Sequence, residues 1–149
     1  MQRSRQTLVA IGLLAVGLQL SACTQQAADA EGGADEPANV ERVEGGRVSR
    51  LTLTAEAAER LGIQTKPVLA GKIGRATRRV VPYSAVLYDA RGETWVYTNP
   101  EPLAYVRERI TVDYIQSGQA VLTDGPPAGT PVVAVGAAEL YGTEFGVGH

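Results

Sequence analysis

The side chains able to do acid, base, nucleophilic or metal chemistry are few in this chain, and they are poorly placed for it. The one histidine, His149, is the last residue, where order is least expected, so neither a catalytic dyad nor a metal ligand is expected there. Glu139 and Glu144 lie close in sequence, but two carboxylates work as acid and base only inside a pocket, and without one they read as surface. Gly146-Val147-Gly148 lacks the strand before it and the helix after it that a dinucleotide or phosphate loop requires. No dense His, Cys or Asp set occurs at metal-ligand spacing. These residues predict a protein that is not an enzyme and that holds no cofactor and no metal.

The one cysteine, Cys23, has a different chemistry written around it. Arg3 and Arg5 form a positive start, Leu8 to Leu20 form an apolar run, and Leu20-Ser21-Ala22-Cys23 follows at once. The run is short of the ~20 residues that span a bilayer, and it has the length of a secretory leader. The arrangement resembles a bacterial lipobox, with a small residue before the cut and a thiol after it. Residues 1–22 are therefore expected to be a lipoprotein signal peptide, with Cys23 carrying a diacylglycerol. Met1 would leave with that leader, and with it the only thioether. Each buried methylene contributes ~0.8 kcal/mol to membrane attachment, so two or three acyl chains hold the protein at the membrane, on the periplasmic face of the cell envelope. Thr24, which is not an aspartate, favours the outer membrane and leaves the choice of membrane open.

A chain of 149 residues with 44% hydrophobic and 20% charged content suffices for one core. Residues 23–46 set Asp29, Glu31, Asp35, Glu36, Glu41 and Glu44 against the single base Arg42, with almost nothing to bury. They read as a disordered acidic tether, reaching roughly 25 Å if flexible. Residues 47–149 read as the folded domain. Val48 to Leu53 alternates as a strand, and Thr54 is placed as the N-cap of a short helix that Gly62 ends. Ile63 to Leu69 resumes as extended chain.

Two apolar runs, Val80 to Tyr88 and Thr94 to Thr98, flank Asp89-Ala90-Arg91-Gly92-Glu93 in a hairpin pattern. Pairing Asp89 with Glu93 sets Leu87 opposite Trp95 and Val86 opposite Val96. Leu103 to Ile115 is the longest alternating run; it predicts Val106, Ile110, Val112 and Tyr114 pointing inward, with Glu108 on the same face returned to water by a frayed edge or bulge, and Tyr105, Arg107, Arg109, Thr111 and Asp113 on the other face. Two further strands follow, at Ala120 to Thr123 and Pro131 to Val135, then a brief helical turn at Ala137 to Tyr141. The fold class is mainly β, a small β-roll or barrel-like domain of seven or eight short strands with one short helix.

Arg75, Arg78 and Arg79 form the basic cluster. Without interleaved aromatic residues, and on an exported chain, they do not predict nucleic-acid binding; a solvated strand face, anionic lipid head groups or an acidic partner all fit them. The aromatic residues gather on the predicted sheet, and Tyr83, Tyr88, Trp95 and Tyr97 serve either as core or as part of a docking surface with those arginines.

Two stretches, LTLTAEAAERLGIQTKPV from Leu51 and Val81 to Val147 with its VPYSAVLYDARGETWVY, resemble the periplasmic adaptor subunits, or membrane fusion proteins, of resistance-nodulation-division efflux pumps. In that family both ends of the chain build the membrane-proximal domain. A lipoyl-like module, a long helical hairpin and a β-barrel lie between those ends; here only Leu69 to Val80 intervenes. The resemblance implies a membrane-proximal domain on its own, docking on an inner-membrane efflux transporter or a full-length adaptor, and it favours an inner-membrane anchor. A stand-alone envelope lipoprotein that binds a small molecule or another envelope protein, and a non-functional adaptor remnant, are the alternatives.

Overall fold

Alternation along the strands decides this architecture, because several strands bury both of their faces. The computed structural model describes residues 36–43 and 48–146. The chain runs β1 (Ala38–Arg42), β2 (Ser49–Leu53), α1 (Ala55–Arg60), β3 (Gln64–Pro67), β4 (Leu69–Ile73), β5 (Ala76–Pro82), a 3-10 turn (Tyr83–Ala85), β6 (Leu87–Tyr88), β7 (Thr94–Glu101), β8 (Ala104–Gln116), β9 (Gln119–Asp124), β10 (Pro131–Val135) and α2 (Ala137–Phe145). The signal peptide and Cys23 lie outside the described residues.

The main sheet has the strand order β3-β10-β7-β8-β9-β5-β4. Its two ends, β3 and β4, are consecutive in the chain with only Val68 between them, so the covalent chain itself closes the path into a barrel-like sheet. All the ladders are antiparallel. Strand β8 is long enough to serve two neighbours on the same side, with Ala104 to Val106 pairing β2 and Thr111 to Gln116 pairing β9. Bulges at Thr111/Val112 and Val112/Tyr114 lie in its second half.

Two apolar cores lie on opposite sides of this wall. Val68, Val81, Val96, Ile110, Leu122 and Val132 fill the barrel interior. Leu51, Leu53, Ala57, Tyr97, Tyr105, Val133 and Leu140 form the second core, where α1, α2 and β2 cover the outside of β7, β8 and β10. Neighbours such as Val96 and Tyr97, or Val132 and Val133, therefore serve different cores. Each large aliphatic side chain buried here contributes about 1.5–3 kcal/mol.

Thr54 caps α1 as its sequence position requires, its hydroxyl accepting from the Ala57 amide at 3.1 Å. Gly62, at φ +64°, ends the turn. Asp89 organises the hairpin loop by accepting the Arg91 and Glu93 amides on Oδ1, both at 2.9 Å. Leu87 pairs Trp95 as expected.

The remaining differences from the sequence reading have physical causes. Val86 does not pair Val96 in the ladder: the run Val80–Tyr88 breaks at the 3-10 turn, which frees β5 to pair β4 and β9 while β6 alone joins β7. Ala38 to Arg42, expected within the tether, is a strand, held by antiparallel pairing in which Ala38 meets Leu53 and Val40 meets Leu51. The folded unit therefore begins before residue 47. Tyr105 and Arg107, expected on the outer face of β8, are buried because the second core covers that face. The brief helical turn extends to Phe145 as α2, since Leu140 and Glu144 both point into the protein.

Candidate functional site

Charge buried inside a protein must be paired and hydrogen-bonded, and one such group sits where α2 meets β7 and β8. The Arg107 guanidinium donates from Nε to Glu144 Oε2 at 3.0 Å and from Nη2 to Oε1 at 3.2 Å, a two-pronged pairing. The Tyr97 hydroxyl donates to the same Oε2 at 2.5 Å. The Arg107 and Glu144 side chains are 6% and 2% exposed. Trp95 supplies a ring face 4.2 Å below the guanidinium carbon, with Phe145 at 5.1 Å and Tyr141 at 5.8 Å. The Trp95 indole then donates to Asp89 Oδ2 at 3.1 Å, linking the hairpin loop to the C-terminal helix.

Titration follows this geometry. Burial, reinforced by the Glu144 carboxylate, pushes the Tyr97 phenol far above its ordinary range. Desolvation raises Asp89, but the Glu93 and Arg91 amides and the Trp95 indole outweigh it, so its carboxyl falls below its ordinary value. Partial burial raises Glu108; Arg79 opposes the shift and Asp124 adds to it. Every buried side-chain nitrogen and oxygen among the described residues has a hydrogen-bond partner. The Arg107–Glu144 group is thus satisfied internally, and what it does is pin α2 to the sheet.

The residues singled out for docking separate into three environments. Tyr97 is 0% exposed and Trp95 9%, so both belong to the interior and neither offers a contact surface. Tyr83 and Tyr88 are 43% and 52% exposed, and desolvation first, then the neighbouring Tyr83, raises the Tyr88 phenol. The arginines divide as well. Arg79 donates to the Gly125 and Thr123 carbonyls and faces Asp124, which ties it to the loop after β9. Arg75 and Arg78 stay on the β4–β5 hairpin, away from those bonds.

The sequence reading missed Arg107, Glu144 and Phe145. The signal available was the spacing of Leu140, Tyr141, Glu144 and Phe145, which places i and i+4 pairs on one helical face. Also missed was an open groove of about 720 Å³ between β1, α1 and α2, with Val40, Leu53, Ala57 and Leu61 in its wall and Arg60 and Glu139 among its polar residues. Among the described residues no group of three or more His, Cys, Asp or Glu is arranged to hold a metal ion, and no helix is long and apolar enough to cross a membrane.

No family model matches the chain, and no curated protein matches it. Among solved structures, it is similar to the NMR structure of 180 residues of SilB from Cupriavidus metallidurans CH34, encompassing the N-terminal metal-binding site and the membrane-proximal domain of that protein. The TM-score is 0.45 at 23% sequence identity, covering 56% of this chain and 48% of that one. The chain thus spans about half the length of that structure.

Proposed function

We propose that this protein is a lipid-anchored periplasmic accessory subunit that docks on an inner-membrane efflux transporter or its adaptor, without catalysing a reaction. One observation carries the reading: both stretches with the adaptor resemblance enter one barrel, joined across a ladder. Strand β3 pairs β10, with Pro67 opposite Pro131 and Lys66 opposite Val132, while the intervening Leu69 to Val80 is only a hairpin. A membrane-proximal domain with its long excursion removed would be built in this way. Cys23 provides the anchor, and the exposed pair Tyr83 and Tyr88 provides contact area of the kind that protein interfaces favour.

The test is purification of the intact lipoprotein from detergent-solubilised membranes, followed by identification of co-purifying proteins. A transporter or full-length adaptor that is retained by the native protein and lost from a Tyr83→Ala/Tyr88→Ala variant supports the reading. Its absence, with the lipoprotein intact, overturns it. The apolar groove beside α1 favours a second reading, in which the protein is a stand-alone envelope lipoprotein that binds a small apolar molecule; mass spectrometry of the extracted protein would find that molecule bound.

A further inference from the structure

The outer surface of the barrel is unevenly covered. Over β7, β8 and β10 it lies beneath α1, α2 and β2, whereas on β5 and β9 Val80 and Val121, 8% and 5% exposed, belong to neither core. Ladder partners define this open face. Leu69 is opposite Val80, Val80 opposite Val121, and Val121 opposite Tyr114, so these four share one side of the sheet. Ile73 joins them by alternation along β4. Leu69 is 52% exposed and Tyr114 39%, and a shallow depression of about 420 Å³ runs between Ile73, Val80, Val121 and Tyr114.

The charge around this face has one sign. Arg78, opposite Gly71, shares the face, and Arg75 stands at the hairpin tip, whereas Lys72, opposite Thr77, belongs to the other side of the sheet. Neither Arg75 nor Arg78 forms an ion pair among the described residues, although Arg50, Arg60, Arg79, Arg107 and Arg109 all do. No carboxylate lines the depression; Asp113, at the bulge before Tyr114, is the acid nearest in sequence. A chain of net charge −2 thus keeps two cations without an ion pair beside exposed Leu69 and Tyr114 and half-buried Ile73.

We infer that this face, Leu69, Ile73 and Tyr114 with Arg75 and Arg78, lies against the anionic surface of the lipid bilayer and sets the orientation of the barrel. Aliphatic and tyrosine side chains settle at the headgroup boundary, while Lys and Arg meet the negative surface charge. The inference rests on the lipid-anchor reading. Cys23 precedes Glu36 closely in sequence, so an acyl anchor there confines the folded domain to the neighbourhood of a bilayer. Contact then requires rotation of the domain and little translation.

The experiment uses the acylated full-length protein in vesicles, carrying an environment-sensitive fluorophore on Ile73→Cys or, on the opposite side of the sheet, on Thr77→Cys. Vesicles of phosphatidylcholine alone are compared with vesicles containing about 30 mol% phosphatidylglycerol. Flotation reports the anchor, and quenching by spin-labelled lipid reports the face. The Ile73 probe is expected to be quenched in anionic vesicles and the Thr77 probe to stay in water. Removing the two cations as Arg75→Gln/Arg78→Gln is expected to weaken the docked population about fivefold per charge, and roughly thirtyfold together. Unchanged Trp95 fluorescence would show that this variant remains folded. Protein that floats while its Ile73 probe stays as wet as the Thr77 probe overturns the membrane-facing surface and leaves the anchor standing. Protein that does not float overturns both. Protection of Ile73 that needs no lipid and rises with protein concentration assigns the face to a second copy and likewise overturns the inference.

Discussion

Glu144→Gln removes the negative partner of a guanidinium that is 6% exposed and leaves the cation inside the protein. Deleting one member of a buried pair costs about 3–5 kcal/mol, because the survivor cannot regain its hydration. Glutamine keeps an acceptor for one guanidinium hydrogen bond, which points to the lower end, about 3 kcal/mol. Against a total stability on the order of 5–15 kcal/mol, that is a large fraction. The midpoint of thermal unfolding should fall by roughly 10 °C for a domain of this size. Trp95 is the only tryptophan and lies 4.2 Å from the guanidinium carbon, so its fluorescence during urea or thermal unfolding reads the event directly. Replacing the whole group, as Tyr97→Phe/Arg107→Leu/Glu144→Leu, should restore all but about 1 kcal/mol, since it leaves neither an orphaned charge nor the Tyr97 hydroxyl without its acceptor. A loss below about 1 kcal/mol in Glu144→Gln, or a triple variant no more stable than the single one, would refute the assignment of this pair as the pin that holds α2.

Three other outcomes follow from the geometry. Gly136 is at φ +86° with the place of its missing Cβ against Ile63 Cδ1; Gly136→Ala should cost about 2–3 kcal/mol in chemical denaturation, and only about 1 kcal/mol when added to Ile63→Val, which removes the clashing methyl. Glu108 has a raised folded pKa, so its ionisation opposes folding at neutral pH and the opposition fades as pH falls through that value. Glu108→Gln should therefore raise the urea midpoint at pH 7 and lose its advantage in acid. Asp89 is shifted the other way: its stabilisation is present above the unfolded-state value and disappears as pH falls through the lower folded value. Asp89→Asn should flatten that acid limb of the stability profile and alter Trp95 emission at every pH.

Local chemistry was the legible part of this fold. Thr54 capping α1, Asp89 gathering the Arg91 and Glu93 amides, and Leu87 facing Trp95 each depend on residues a few positions apart. The second core was not legible, because alternation along Leu103 to Ile115 identifies two faces but not whether both are covered. Arg107 looked like a solvated residue until α2 supplied Glu144, 37 residues away. The pair Trp95 and Tyr97 illustrates the same limit, since their composition suits an interface and their burial places them inside. In β1 only Val40 is a large apolar residue, so its strand conformation comes from pairing with β2, which no local pattern announces.

Site-specific photocrosslinking in living cells, with a photoreactive residue at Tyr83 or Tyr88, tests the proposed docking most directly. The expected product is a covalent adduct with an inner-membrane transporter or its adaptor, formed from these two positions and absent from a probe at Glu59 on α1. Adducts only with unrelated envelope proteins, or none from properly acylated protein, would contradict it.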